Sequence, residues 1–90
     1  MDDRRKRLLF RARHMGTNEN DLLFGRFAER WLPRFDDRQL DTFEALIAEN
    51  DPDLFLWVSG AKPLPGHLDT DVMRLLQSFT VAGQDVENAS

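Results

Sequence analysis

The sequence predicts an all-α fold, a compact five-helix bundle, on three observations. Apolar residues recur at spacings of three and four along most of the chain, as in Leu40, Phe43, Leu46 and Ile47, which is the period of a helix buried on one face. Capping and breaking residues punctuate that pattern, with Thr17, Asp36 and Asp51 ahead of apolar runs and Gly16, Pro33 and Gly60 behind them. No segment alternates apolar and polar with the period of a half-buried strand, and none carries a hairpin turn signal. A chain of 90 residues, 41% hydrophobic and 31% charged, suits one small domain. Residues 1–82 read as that single helical domain, and 83–90, where the composition turns small and polar, as a disordered tail.

The first helix is expected over residues 3–14, capped by Asp2 or Asp3, with Leu8, Ala12 and Met15 as its apolar stripe and Leu9 alongside. Arg4, Arg7 and Arg11 share a different face. Gly16 supplies the left-handed conformation that commonly ends a helix. Thr17 then caps a second helix over 18–32, with Glu19 and Asp21 in the first turn, where the helix dipole favours negative charge. Its wide stripe of Leu23, Phe24, Phe27, Ala28, Trp31 and Leu32 suits burial against more than one neighbour, and Pro33 closes it. Gly25 in mid-helix costs about 1 kcal/mol relative to alanine, for which a close helix crossing is a physical reason.

Asp36 with Gln39 forms a capping-box pattern for a third helix running to about Asn50. Asp51-Pro52 reads as the N-cap and first position of a short fourth helix carrying Leu54, Phe55, Trp57 and Val58, ended by Ser59-Gly60. Two prolines and a glycine make residues 62–66 a loop. Asp69 is expected to cap the last helix, through Val72, Leu75, Leu76 and Phe79. The aromatics Phe27, Trp31, Phe43 and Phe79 fall on apolar faces and read as core.

Composition narrows the functional classes. There are no cysteines, which excludes disulfides, thiolate metal sites and a cysteine nucleophile. His14 and His67 stand far apart with no metal-ligand spacing, so no metal site is expected. No nucleophile elbow, phosphate-binding loop or dinucleotide fingerprint occurs, which leaves enzymatic catalysis and direct FAD binding without a sequence basis. No apolar run reaches the length of a membrane span, so no membrane insertion is expected. The net charge of -4 is unevenly spread: residues 1–14 carry +4 and the remainder -8. An acidic whole is a poor nucleic-acid binder. The alternative function, a small regulatory or nucleic-acid-binding module, would use the basic first helix.

The stretch from His14 to Asp21 is where a backbone irregularity meets a compact group of polar side chains. It introduces the order basic helix, Gly16-Thr17-Asn18-Glu19, Asp21-Leu22-Leu23, Gly25-Arg26-Phe27, Phe43 and Asp51-Pro52-Asp53-Leu54-Phe55-Leu56-Trp57. This order and spacing resembles the FAD assembly factors of succinate dehydrogenase over about residues 4–79. The resemblance implies a five-helix bundle and a helper that is not an enzyme. Such a helper binds the flavoprotein subunit of succinate dehydrogenase, with that of fumarate reductase as a second client, and promotes covalent attachment of FAD. FAD is then attached to the client, and no cofactor is held stably by the helper. The family's Arg-Gly-x-x-Glu signature forms the working surface: Gly16 and Glu19 match it, while Met15 stands where the family usually has arginine. The client-binding set expected on this basis is Gly16, Glu19, Met15, His14, Arg11, Arg7 and Asp21. The expected compartment is a bacterial cytoplasm, or the mitochondrial matrix for a processed organelle protein.

Overall fold

The computed structural model describes residues 1–89, with side chains described for 1–80. Five α-helices and two short 3-10 turns are present, with no strand among the described residues. Contacts gather into two compact units, Met1–Asn50 and the residues from Asp51 onward.

In the first unit, α1 spans Asp3–Ala12, α2 Asn18–Trp31 and α3 Asp37–Glu49, with a 3-10 turn at Leu32–Arg34 after α2. Asp2 caps α1, its carboxylate accepting from the Arg5 amide at 3.0 Å. Thr17 caps α2 as the sequence indicates, its hydroxyl accepting from the Asn20 amide at 3.2 Å. The Asp36–Gln39 capping box closes in both directions, at 2.8 and 3.0 Å. The core is formed by Leu8, Ala12 and Met15, by Phe24, Phe27, Ala28 and Leu32 of the α2 segment, by Phe35, and by Leu40, Phe43, Leu46 and Ile47 of α3. Within it the Phe27 ring stands 5.7 Å from Phe43 and 6.0 Å from Phe35, in the tilted geometry aromatic pairs favour. Phe27 and Phe43 are fully buried, while Trp31 is only half-buried, its outer face approached by the guanidinium groups of Arg30 and Arg34 at 5.8 and 5.6 Å.

Three local expectations shift here. Helix α1 ends at Ala12 with Arg13 as its cap in ordinary right-handed conformation, so Gly16 does not close the helix but sits three residues beyond the cap. Pro33 does not end helical structure outright, because the 3-10 turn accommodates a residue without an amide proton at its start. Arg5 of α1 serves that turn: its Nε donates to the Leu32 carbonyl at 2.7 Å and its Nη2 to the Phe35 carbonyl at 2.6 Å. These carbonyls lie beyond the helical ladder, and a cation satisfies them. The tight spot at Gly25 is real but arises from a side chain: a Cβ there would meet Cγ of Arg13 at 3.0 Å.

In the second unit, α4 spans Leu54–Ser59, a 3-10 turn covers Gly66–Leu68 and α5 runs Asp71–Ala89. Two cap assignments move. Asp51 does not cap α4 directly; its side chain accepts from the Asp53 amide and its carbonyl from the Leu54 amide, both at 2.9 Å, forming a turn ahead of the helix. Asp69 ends the 3-10 turn, and Thr70 takes the cap of α5, its hydroxyl accepting from the Met73 amide at 3.1 Å. Both shifts follow from the ability of Asp and Thr to bond an amide two or three residues on in turns as well as at helix starts. Leu54, Val58, Leu68, Val72, Met73 and Leu76 are buried, Phe79 is half-buried, and Gln77 Nε2 ties α5 to α4 through the Trp57 carbonyl at 3.1 Å. Ser90 lies outside the described residues, and so do the side chains from Val81 on, where the expected tail at 83–90 falls.

Candidate functional site

The segment from Arg13 to Thr17 joins α1 to α2, and its conformation is held by side chains from two different helices. Gly16 has φ +113°, a value that L side chains rarely adopt, and the space where a Cβ would sit is open. The requirement for glycine is therefore one of backbone conformation and not of crowding. Oδ1 of Asp21, in the first turn of α2, accepts from the backbone amides of both Met15 and Gly16, the latter at 3.0 Å. From the other side, Nδ2 of Asn50 donates to the Met15 carbonyl at 2.8 Å. Asn50 itself is the C-cap of α3 and, among the described residues, the one non-glycine with positive φ, at 33°. The turn is thus clamped at an amide pair and at a carbonyl while the Gly16 backbone faces solvent.

Around this turn the side chains divide into engaged and free. Arg4 bridges to Asp41 and Glu44, Arg11 reaches Glu44 at 3.5 Å, and Arg13 pairs with Glu29. Arg7 and Glu19 are exposed, and neither makes a side-chain hydrogen bond or ion pair with any described residue. His14 is exposed too; its Nδ1 donates to the Phe10 carbonyl at 2.6 Å, and its ring stacks on Phe10 with centroids 4.1 Å apart. Beside the turn an open groove of about 310 Å³ is lined by Arg13, Asp21, Leu22, Gly25 and Glu29 among others. No group of three or more His, Asp or Glu side chains suited to hold a metal occurs among the described residues. No helix among them is long and apolar enough to cross a membrane.

The family described as flavinator of succinate dehydrogenase matches residues 6–80. The chain belongs to this family. It is 41% identical to succinate dehydrogenase assembly factor 2, mitochondrial, of Drosophila grimshawi over 76 residues, covering 82% of this chain and 52% of that protein. It is 39% identical to assembly factor 2-B, mitochondrial, of Drosophila yakuba over 89 residues, covering 97% of this chain and 57% of that one. The chain thus spans about half the length of the curated relatives it matches.

For a flavinator-family chain, the expected site residues separate by what their side chains are free to do. Gly16, Glu19, His14, Arg7 and Arg11 lie on the surface at or near the turn. Met15 does not: it is 6% exposed and packs into the core, so it contributes burial and a clamped backbone in place of a surface side chain. Asp21 is half-buried, with one carboxylate oxygen given to the turn amides. Sequence reasoning missed Asn50, which it took as a helix end, and Phe10, which it assigned no role. An asparagine at a helix C-cap suggests left-handed backbone, but nothing in the sequence says that its amide reaches a residue 35 positions away.

Proposed function

We propose that this chain is a helper without a catalytic group of its own, which binds the flavoprotein subunit of succinate dehydrogenase and promotes covalent attachment of FAD to it. The same reading extends to the flavoprotein of fumarate reductase. The observation that carries the proposal is the exposed Gly16 turn, clamped by Asp21 and Asn50 and flanked by a Glu19 carboxylate that pairs with no described residue, in a chain of the flavinator family. A glycine backbone without a side chain lets a partner surface approach closely, and an unpaired carboxylate beside it offers a charged contact with no internal bond to break first.

Covalent flavinylation requires a nucleophile of the client to be held close to the flavin carbon it attacks. Fixing two reacting groups in such geometry accounts for several kcal/mol of barrier, about 7 or more in the most favourable cases. A helper that binds that client conformation more tightly than others raises its population by the difference in affinity, without touching the bond being formed. FAD is in this account held by the client and not by the helper. The compartment is the one in which the flavoprotein matures, the mitochondrial matrix or a bacterial cytoplasm. A nucleic-acid role is disfavoured because Arg4, Arg5, Arg11 and Arg13 are already turned to carboxylates within the chain.

The test is co-expression of the client flavoprotein with and without this chain, followed by in-gel flavin fluorescence after denaturation. Covalent fluorescence should rise severalfold when the chain is present; equal signal in the two arms removes the assembly role.

A further inference from the structure

Phe10 points away from the core of the first unit, and its surroundings are unusual for an exposed phenylalanine. It is 62% exposed, more than Met1 or Leu22 at 52% each, the other exposed large apolar side chains among the described residues. A helix advances about 100° per residue, so within α1 Arg7, Phe10 and Arg11 share roughly 100° of arc centred away from the buried Leu8 and Ala12, and His14, just beyond the helix cap, lays its ring back on Phe10. A single exposed apolar residue needs no explanation. Here the ring is fixed: the His14 imidazole covers one face at 4.1 Å and is itself locked by its bond to the Phe10 carbonyl. More than half of the residue's surface remains open to solvent. Arg7 alongside has no carboxylate partner among the described residues, and the ion pair of Arg11 is a long one, to Glu44 at 3.5 Å. An aromatic stacked on its own helix end and flanked by cations, of which Arg11 is held only by its long contact to Glu44, has the composition and low ordering cost of an interface anchor.

We propose that the Phe10–His14 stack is the apolar anchor of the client interface, inserting into an apolar recess of the flavoprotein subunit whose rim carries carboxylates facing Arg7 and Arg11. This rests on the assembly reading above and adds to it: the Gly16–Glu19 turn gives close approach and one polar contact, while the anchor supplies the desolvated area that sets residence time. The rim charges act differently. Their attraction is screened by salt, whereas the apolar insertion is not.

The experiment measures binding of the full chain to the purified flavoprotein subunit of its own host by biolayer interferometry at low and high salt, with sedimentation velocity on the free chain. Phe10→Ala should weaken binding at least tenfold at both salt concentrations, chiefly through faster dissociation. Its thermal midpoint should not change, because the ring is not part of the core. Phe10→Tyr, which keeps the ring, should stay within threefold of wild type. Arg7→Ala should weaken binding at low salt and little at high salt. Wild-type affinity in Phe10→Ala, alongside lost binding in Gly16→Val, overturns the anchor and leaves the assembly role standing. No binding and no flavinylation by the wild type overturn the assembly role, and the anchor with it. A wild-type dimer that Phe10→Ala converts to monomer, with client affinity unchanged, assigns the stack to self-association and overturns the proposal.

Discussion

Two glycines among the described residues have positive φ, and they serve different ends. Gly60, at φ 82° and ψ 7°, follows α4 in the left-handed well, and the amides of Gly60, Ala61 and Lys62 return to the carbonyls of Leu56 and Trp57. That is a helix stop whose partners all belong to the helix it ends. Gly16, at φ 113°, lies outside that well, and its amide turns forward to Asp21. The carbonyl before it is held by Asn50, from the end of α3. A stop of the first kind can be built from local sequence alone. A turn of the second kind exists only when three helices agree on its position, and that is the behaviour expected of a segment whose backbone shape is used by a partner.

The contrast can be broken most severely at Gly16 itself. Gly16→Val places a β-branched side chain at φ 113°, which should cost about 3 kcal/mol of stability and abolish flavinylation in the co-expression assay. Gly60→Asn should lose less than about 0.5 kcal/mol, since asparagine tolerates the left-handed well, whereas Gly16→Asn should not be tolerated. Equal melting shifts for the two asparagine variants would erase the distinction.

Next in size is Asp21→Ala, which leaves the Met15 and Gly16 amides without their acceptor; denaturant unfolding should show a loss of about 2 kcal/mol. Asn50→Gly separates two roles, because glycine keeps the left-handed cap while deleting the bond to the Met15 carbonyl. It should cost about 1 kcal/mol and raise amide exchange across residues 14–17 more than at the end of α3. An exchange increase confined to α3 would make Asn50 a cap like Gly60 and no more.

Glu19→Ala should change stability by no more than about 0.5 kcal/mol, the loss of a dipole partner, while flavinylation falls several-fold; a stability loss with unchanged client affinity would make it structural. The smallest effect concerns α1. Accepting the Arg5 amide, with the Arg5 guanidinium beside it, holds the Asp2 carboxyl below the ordinary aspartate value of 3.8. A depressed carboxylate stabilises the fold above its ordinary value, and that contribution is lost as pH falls through the depressed one. The Arg5 amide should therefore exchange faster as pH falls below 3.8 and the Asp2 carboxylate is protonated, after correction for intrinsic rates.

Much of the architecture was legible because it is written in short-range chemistry. The stripe of Leu8, Ala12 and Met15, the Thr17 cap and the Asp36–Gln39 box each depend on residues within one or two turns of each other, and all appear where the sequence places them. The misplaced caps at Asp51 and Asp69 mark the limit of that logic. A short polar side chain serves a turn or a helix start equally well, and the choice depends on which register buries the following apolar residues. At the candidate site the sequence marks the turn and its polar residues, but spacing alone does not show that the Asp21 carboxylate, expected among the client contacts, also holds the Met15 and Gly16 amides.

By itself the sequence determined the helical class, the order of elements, the apolar faces and, through its motif order, the family. Those are one-dimensional properties, carried by spacing and residue type. Tertiary structure decided that Met15 is buried, that Arg4 and Arg11 turn toward Glu44 while Arg7 pairs with no described residue, and that Asn50 reaches back across 35 residues to hold the carbonyl before Gly16. These depend on where helices cross, and the helical period that reveals a buried face says nothing of which neighbour will cover it or which polar group that neighbour will bring.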